Sequence, residues 1–192
     1  MLLESLKGKT VGIAGCGGLG SNCAIALARI GIGKLIIADF DIIVQSNLNR
    51  QYFFIDQLGM YKVDALQTNI KRVNTDVIVE KHCLKLSTDN ITQLFKNCDV
   101  IVEAFDLAEM KKMLIETVLT EMPEKFIISG SGMAGWGNNN TIKTINYEKL
   151  YICGDLTTEI SENTPPLAPR VGIVANMQAN QVVEILLNKQ NQ

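Results

Sequence analysis

The chain has 192 residues, enough for one domain with a sizeable core. Hydrophobic residues make up 47% and charged residues 20%, which excludes a disordered class. A net charge of -2, with no polybasic run, argues against a dedicated nucleic-acid binder.

Residues 10–14 read as a short apolar strand, and GCGGLG at 15–20 as a glycine turn. Residues 19–30 follow as a helix with small residues toward the sheet, ended by Gly31 and Gly33. The uncharged run from 10 to 28 is not a membrane span, because Gly15, Gly17, Gly18 and Gly20 interrupt it. No basic signal head precedes it, so a cytoplasmic chain without membrane contact is expected. Residues 34–40 form a second buried strand. The loop 41–59 is long for an α/β unit, and Tyr52, Phe53, Phe54 and Ile55 require it to pack.

Apolar residues at 63, 66, 70 and 73 predict a helix over 62–73. Alternation predicts a strand over 76–83, where His82 and Cys83 are too few for a metal site. Ser87, Asn90 and Ile91 open another helix. A strand over 99–105, a helix over 107–119 and a strand over 125–129 follow. Residues 141–147 and 150–153 read as antiparallel additions, 159–170 as a Pro-containing loop crossing the domain, and 172–188 as a closing helix. Val174, Val182, Ile185 and Leu186 would bury that helix. Strands alternating with helices predict an α/β, Rossmann-like fold. Its sheet is mostly parallel, with helices on both faces and extra antiparallel strands toward the C-terminus. Residues 1–192 form a single domain in this reading. Cysteines at 16, 23, 83, 98 and 153 form no C-x-x-C pair and are odd in number. They read as small buried hydrophobes, not as a zinc ribbon or disulfide framework.

GCGGLG satisfies G-x-G-x-x-G through Gly15, Gly17 and Gly20, between a strand and a helix. Phosphate must approach backbone amides at a helix N-terminus, and side chains there would block it. Asp39 follows Gly20 by nineteen residues and can accept hydrogen bonds from ribose hydroxyls. This much fits NAD and ATP alike. A reacting triphosphate calls in addition for Lys, Arg and a Mg²⁺ ligand. SNLNRQ at 46–51 supplies Arg50, Lys62 opens the next helix, and Asp106 stands at the carboxyl edge of the fourth parallel strand. Singly, Arg50 also fits a surface ion pair, Lys62 a helix-surface charge and Asp106 a helix N-cap. Asp41 fits a loop brace. Arg170 fits an anion contact or helix-end packing.

Together GCGGLGS (15–21), DFD (39–41), SNLNRQ, GMYK ending at Lys62, EAFD (103–106) and APRVGI (168–173) resemble the adenylating superfamily. That superfamily includes ThiF, MoeB and the ubiquitin-activating enzymes. The likeness covers nearly the whole chain and is greatest to short ThiF-type proteins of thiamine biosynthesis. The resemblance implies that Gly15, Gly17, Gly18 and Gly20 cradle the nucleotide and that Asp39 holds the ribose. Asn47, Arg50 and Lys62 would hold phosphates, with Asp41 and Gln51 beside them, and Asp106 would bind Mg²⁺. The implied catalytic residues are Arg50, Lys62 and Asp106. The implied reaction is ATP-dependent adenylation of the C-terminal Gly-Gly carboxylate of a ubiquitin-like sulfur carrier, by a homodimer.

Three departures from the resemblance are visible. The two C-x-x-C pairs that hold zinc in larger relatives are absent, so no structural zinc is expected. Relatives bring an arginine from an N-terminal segment of the neighbouring subunit. Here the sequence starts just before its first strand, so such an arginine is expected from elsewhere or not at all. Ser161 falls where some relatives carry a covalent cysteine, and Cys153 reads as buried, so adenylation without a thiol step is expected. The competing readings are another ubiquitin-like carrier, a tRNA base, an NAD-dependent oxidoreductase, and a non-catalytic nucleotide- or carrier-binding protein.

Overall fold

A computed structural model describes residues 3–188. The elements in chain order are β1 (Thr10–Ala14), α1 (Gly18–Arg29), β2 (Lys34–Ala38), α2 (Lys62–Val73), β3 (Ile78–His82) and α3 (Thr88–Phe95). They continue with β4 (Val100–Glu103), α4 (Ala108–Glu121), β5 (Phe126–Gly130), β6 (Lys143–Tyr147), β7 (Leu150–Gly154) and α5 (Ala168–Asn188). The strands form one sheet in the order β3-β2-β1-β4-β5-β7-β6. All neighbours run parallel except β6, which pairs antiparallel with β7. The antiparallel addition is therefore a hairpin whose inner strand extends the parallel ladder.

Each central strand is buried on both faces, which is why its sequence reads as a continuous apolar run. Val11, Ile13, Leu35, Ile37, Val100 and Val102 face the layer of α1, α2 and α5. Ile36, Ala38, Ile101 and Ile127 face α3 and α4, where Ile91, Phe95, Leu114 and Val118 meet them. Size is matched across the layers. A Cβ on Gly12 would stand 2.6 Å from the Phe95 ring, so the missing side chain is what admits that ring.

Several ends differ from those expected. β2 stops at Ala38, which leaves Asp39 just beyond the ladder rather than within it. α5 begins at Ala168, four residues earlier than 172, and takes Pro169 into its first turn. Proline is tolerated there because a helix's first N–H groups have no intrahelical acceptor. The loop 41–61 packs only in part: Phe53 is buried and Tyr52 half-buried, whereas Phe54 and Ile55, expected to pack, are exposed. Ile42 bridges Tyr61, Ile43 N donates to Met60 O at 2.9 Å, and the Gln57 and Asn69 amides pair at 2.8 Å over α2. None of the described helices is long and apolar enough to cross a membrane.

The chain leaves β1 for β2 on one side and reaches β4 on the other, so the sheet's direction of winding reverses at β1. That reversal opens a crevice at the carboxyl ends of the strands, the usual ligand position in such sheets. α1 enters the crevice closely packed. A Cβ on Gly20 would fall 1.9 Å from Gly15 O and 3.2 Å from Ala104 Cβ. Gly20→Ala is therefore expected to lower the unfolding free energy by about 3 kcal/mol, the range of strong overpacking, or to prevent folding. Urea denaturation monitored by circular dichroism measures it.

Candidate active site

A cleft of about 710 Å³ lies at this reversal. Its floor is the glycine turn. Gly15 has φ +93° and lies so close to the end of β4 that a Cβ would stand 2.9 Å from Ala104 O. Gly17 precedes the first turn of α1, whose leading amides lack intrahelical partners and face the cleft floor. A Cβ on Gly18 would stand 2.9 Å from Val171 in α5, so this glycine is also needed for helix packing.

Asp39 fixes the turn to the second strand. Its Oδ2 accepts Cys16 N at 2.6 Å and its Oδ1 accepts Asp41 N at 2.8 Å. Burial pushes this carboxyl up from its ordinary value, while Lys62 and the two amide donors oppose that shift. Lys62 is the buried cation of the wall, with its side chain 8% exposed and its Nζ 2.7 Å from Asp41 Oδ2. Asp41 thus holds Lys62, and it does so from the cleft wall.

The SNLNRQ segment is held by polar contacts along its length. Asn47 Oδ1 accepts Val44 N at 3.0 Å, and Asn47 O accepts the amides of Arg50 and Gln51. Asn47 is buried and does not reach the cleft wall; its side chain shapes the loop. Gly20 is likewise off the wall and acts through packing. Arg50 lines the cleft, its Nη1 resting on Ser46 O at 3.0 Å and Asn49 Oδ1 at 2.8 Å. Gln51 lines it beside Gly17, and its Oε1 is buried with no partner among the described residues. Asp106 stands exposed on the opposite wall, and no side-chain hydrogen bond or ion pair engages it among the described residues. It is not the helix N-cap; Leu107 takes that position.

Gly15, Gly17, Gly18, Asp39, Asp41, Arg50, Gln51, Lys62 and Asp106 thus share one cavity. No cluster of three or more His, Cys, Asp or Glu suited to a metal occurs among the described residues. Asp106 and Glu109 nevertheless both line the cleft without a side-chain partner among the described residues, and Mg²⁺ is held by one or two carboxylates together with substrate phosphates. Cys153 is fully buried, its thiol pushed up by burial, and Ser161 Oγ is engaged with Thr164 Oγ1 at 2.7 Å.

Sequence reasoning missed the contacts that hold the walls. Asn22 Nδ2 donates to Gly18 O at 2.7 Å and to Arg50 O at 2.9 Å, tying the arginine segment to α1. Its position directly after GCGGLGS was the available signal. Phe40, Leu84, Leu86 and Leu107 make an apolar end suited to a flat base, and Met133, Ile160, Pro165 and Pro166 close the other end. That second end is strapped down by two contacts from Asn49. Asn49 O accepts Ala168 N at 3.2 Å and Asn49 Nδ2 donates to Pro166 O at 3.3 Å. Arg170, read as either an anion contact or helix packing, is the latter. It is 4% exposed and bonds Asp155 Oδ2 at 2.6 Å and Gly137 O at 2.5 Å. No local pattern pairs residues 155 and 170, so the ion pair was invisible in the sequence.

A model of the ThiF family matches residues 2–192. The adenylyltransferase and sulfurtransferase UBA4 of Scheffersomyces stipitis is 28% identical over 189 residues, which is 94% of this chain and 42% of that protein. The adenylyltransferase and sulfurtransferase MOCS3 of Caenorhabditis briggsae is 31% identical over 192 residues, 95% of this chain and 46% of that protein. The chain therefore spans less than half the length of these curated relatives. Among solved structures, E. coli tRNA N6-threonylcarbamoyladenosine dehydratase in complex with ATP superposes with a TM-score of 0.89 at 18% identity. That match covers 99% of this chain and 90% of the other. At that identity it establishes the shared fold.

The Asp155 carboxyl is held below the usual carboxylate range. Burial alone would raise it, but Thr158 Oγ1, the Thr158 and Thr157 amides and Arg170 outweigh burial and bring it down to about 2 from 3.8. A depressed carboxyl contributes stability that is fully present above its unfolded value and is lost as pH falls through the folded one. Asp155→Asn is therefore expected to cost about 3 kcal/mol at pH 7, as for a broken buried pair. The deficit should shrink between pH 4 and pH 2, as measured by denaturant titrations at both ends.

Proposed function

The chain belongs to the ThiF family, and from that premise we propose that it is an ATP-dependent adenylyltransferase. Its substrate in this reading is the C-terminal Gly-Gly carboxylate of a ubiquitin-like sulfur carrier, of the ThiS-like type used in thiamine biosynthesis. One observation carries the reading. Two cations from separate elements, Arg50 and Lys62, and Asp106, which has no side-chain partner among the described residues, share a cleft with a glycine turn that alone would serve any nucleotide.

The chemistry follows from that arrangement. Asp39 accepts hydrogen bonds from the ribose hydroxyls. The N-terminus of α1 and Gln51 face the phosphate chain. The carrier's carboxylate is ionised near neutral pH, so attack on the α-phosphorus needs no general base. One bond forms from carboxylate oxygen to α-phosphorus, and the bond from that phosphorus to the bridging oxygen breaks. An acyl-adenylate forms and pyrophosphate leaves with the bonding pair. Arg50 and Lys62 neutralise the charge that develops on the phosphates, which is where preorganised cations lower a barrier. Asp106 would hold Mg²⁺, which supplies further charge neutralisation on the leaving pyrophosphate. The chain works as a cytoplasmic homodimer in this proposal. Ile42, Val44, Ile55, Leu58 and Tyr61, exposed on the 41–61 loop, support such pairing.

A second reading is adenylation of a tRNA base. It is favoured by the match to 90% of the length of a tRNA dehydratase, against less than half for the adenylyltransferase and sulfurtransferase relatives. ATP–pyrophosphate exchange separates the two. Exchange should require a carrier ending in free Gly-Gly and should fall at least about 100-fold in Arg50→Ala, as when a transition-state charge contact is removed. Exchange supported by tRNA and by no carrier would favour the second reading. ATP binding without exchange on either substrate would sink both.

A further inference from the structure

Glu103 is fully buried at the carboxyl end of β4, in a strand that otherwise reads Val-Ile-Val. Its two oxygens receive four bonds. Phe105 N donates at 2.7 Å and Ser129 Oγ at 2.5 Å, while Lys111 Nζ reaches one oxygen at 3.1 Å and the other at 2.9 Å. Lys111, from the first turn of α4, also donates to Gly130 O at 2.8 Å. Gln178 Nε2, from α5, donates to Glu103 O at 2.9 Å and Ile128 O at 3.2 Å. Four elements therefore meet on one residue.

Packing does not require a charge here. An ion pair taken from water is commonly no more stabilising than apolar residues of the same volume. What the pair adds is direction. Bonds from Phe105 N and Lys111 fix both ends of the turn between β4 and α4, and Ala104 N donates to Ala14 O at 2.9 Å. Ala104, Phe105, Asp106 and Leu107 all line the cleft. Asp106 has no side-chain partner among the described residues, so its place on the wall depends on the backbone that carries it.

We propose that Glu103, acting through Lys111 and Ser129, is the positioning residue that holds Asp106 on the cleft wall for the metal–nucleotide complex. The proposal rests on the reading of Asp106 as the Mg²⁺ residue. It differs from a purely structural role in one respect: the apolar replacement keeps the fold and loses the site.

The test uses the full chain with ATP and Mg²⁺ as probes, in Glu103→Leu/Lys111→Met, Glu103→Gln, Asp106→Ala and the wild type. Calorimetry gives the Mg²⁺ concentration at which ATP binding is half-enhanced, and hydrogen exchange follows the amides of residues 104–107. In the apolar double variant the Mg²⁺ midpoint should rise about tenfold, toward that of Asp106→Ala, as when the support of a metal ligand is removed. Exchange at 104–107 should quicken about tenfold with the melting temperature little changed. Glu103→Gln keeps an acceptor for Phe105 N and should shift the midpoint about threefold. It also serves if the double variant does not fold. Wild-type midpoints and exchange in a folded Glu103 variant would overturn the proposal. An unshifted midpoint in Asp106→Ala would instead overturn the Asp106 assignment, and the proposal with it.

Discussion

The site depends on how closely the glycine turn can lie against the ends of β2 and β4. Asp39 draws the turn in through Cys16 N at 2.6 Å, and Gly15 meets Ala104 O where any side chain would collide. With Gly20 against Gly15, these contacts leave bare backbone and a helix N-terminus as the cleft floor. A single methyl at 15 or 20 would separate the walls that carry Asp39 and Asp106. The remaining structure holds charged side chains around that floor at fixed distances.

The cations are held in different ways, and this explains the polarity of residues 46–51. Lys62 is buried and needs a compensating charge, which Asp41 provides at 2.7 Å. Arg50 is half-buried and rests on neutral oxygens, Ser46 O and Asn49 Oδ1, which an anionic phosphate would outcompete. Asn47 and Asn22 stabilise the backbone that presents it. These two asparagines are therefore supports of an arginine platform. Asn49 extends the same support to the strap at Pro166 and Ala168.

Much of this was legible in the sequence. A glycine turn between strand and helix leaves little conformational choice, and an acid nineteen residues on marks the end of the neighbouring strand. The apolar runs identified the doubly covered strands, and helical spacing placed α2 with Lys62 at its start. What stayed hidden was long-range. Glu103 was quoted within EAFD, but its partners Lys111 and Ser129 lie 8 and 26 residues away. Arg170 and Asp155 are 15 apart across a loop with no periodicity. The start of α5 was missed because Pro169 reads as a breaker until its first-turn position is known. Asn47 looked like a phosphate contact because its segment does; only three-dimensional placement turns its side chain to Val44 N.

The central claim is that this cleft is built for a charged triphosphate and not for nucleotides in general. The most direct measurement is equilibrium binding of ATP, AMP and NAD to the full chain in the presence of Mg²⁺. The account predicts ATP bound at least about tenfold more tightly than AMP or NAD, a difference of about 1.4 kcal/mol supplied by Arg50, Lys62 and Asp106. Equal affinities, or NAD bound more tightly than ATP, would contradict it.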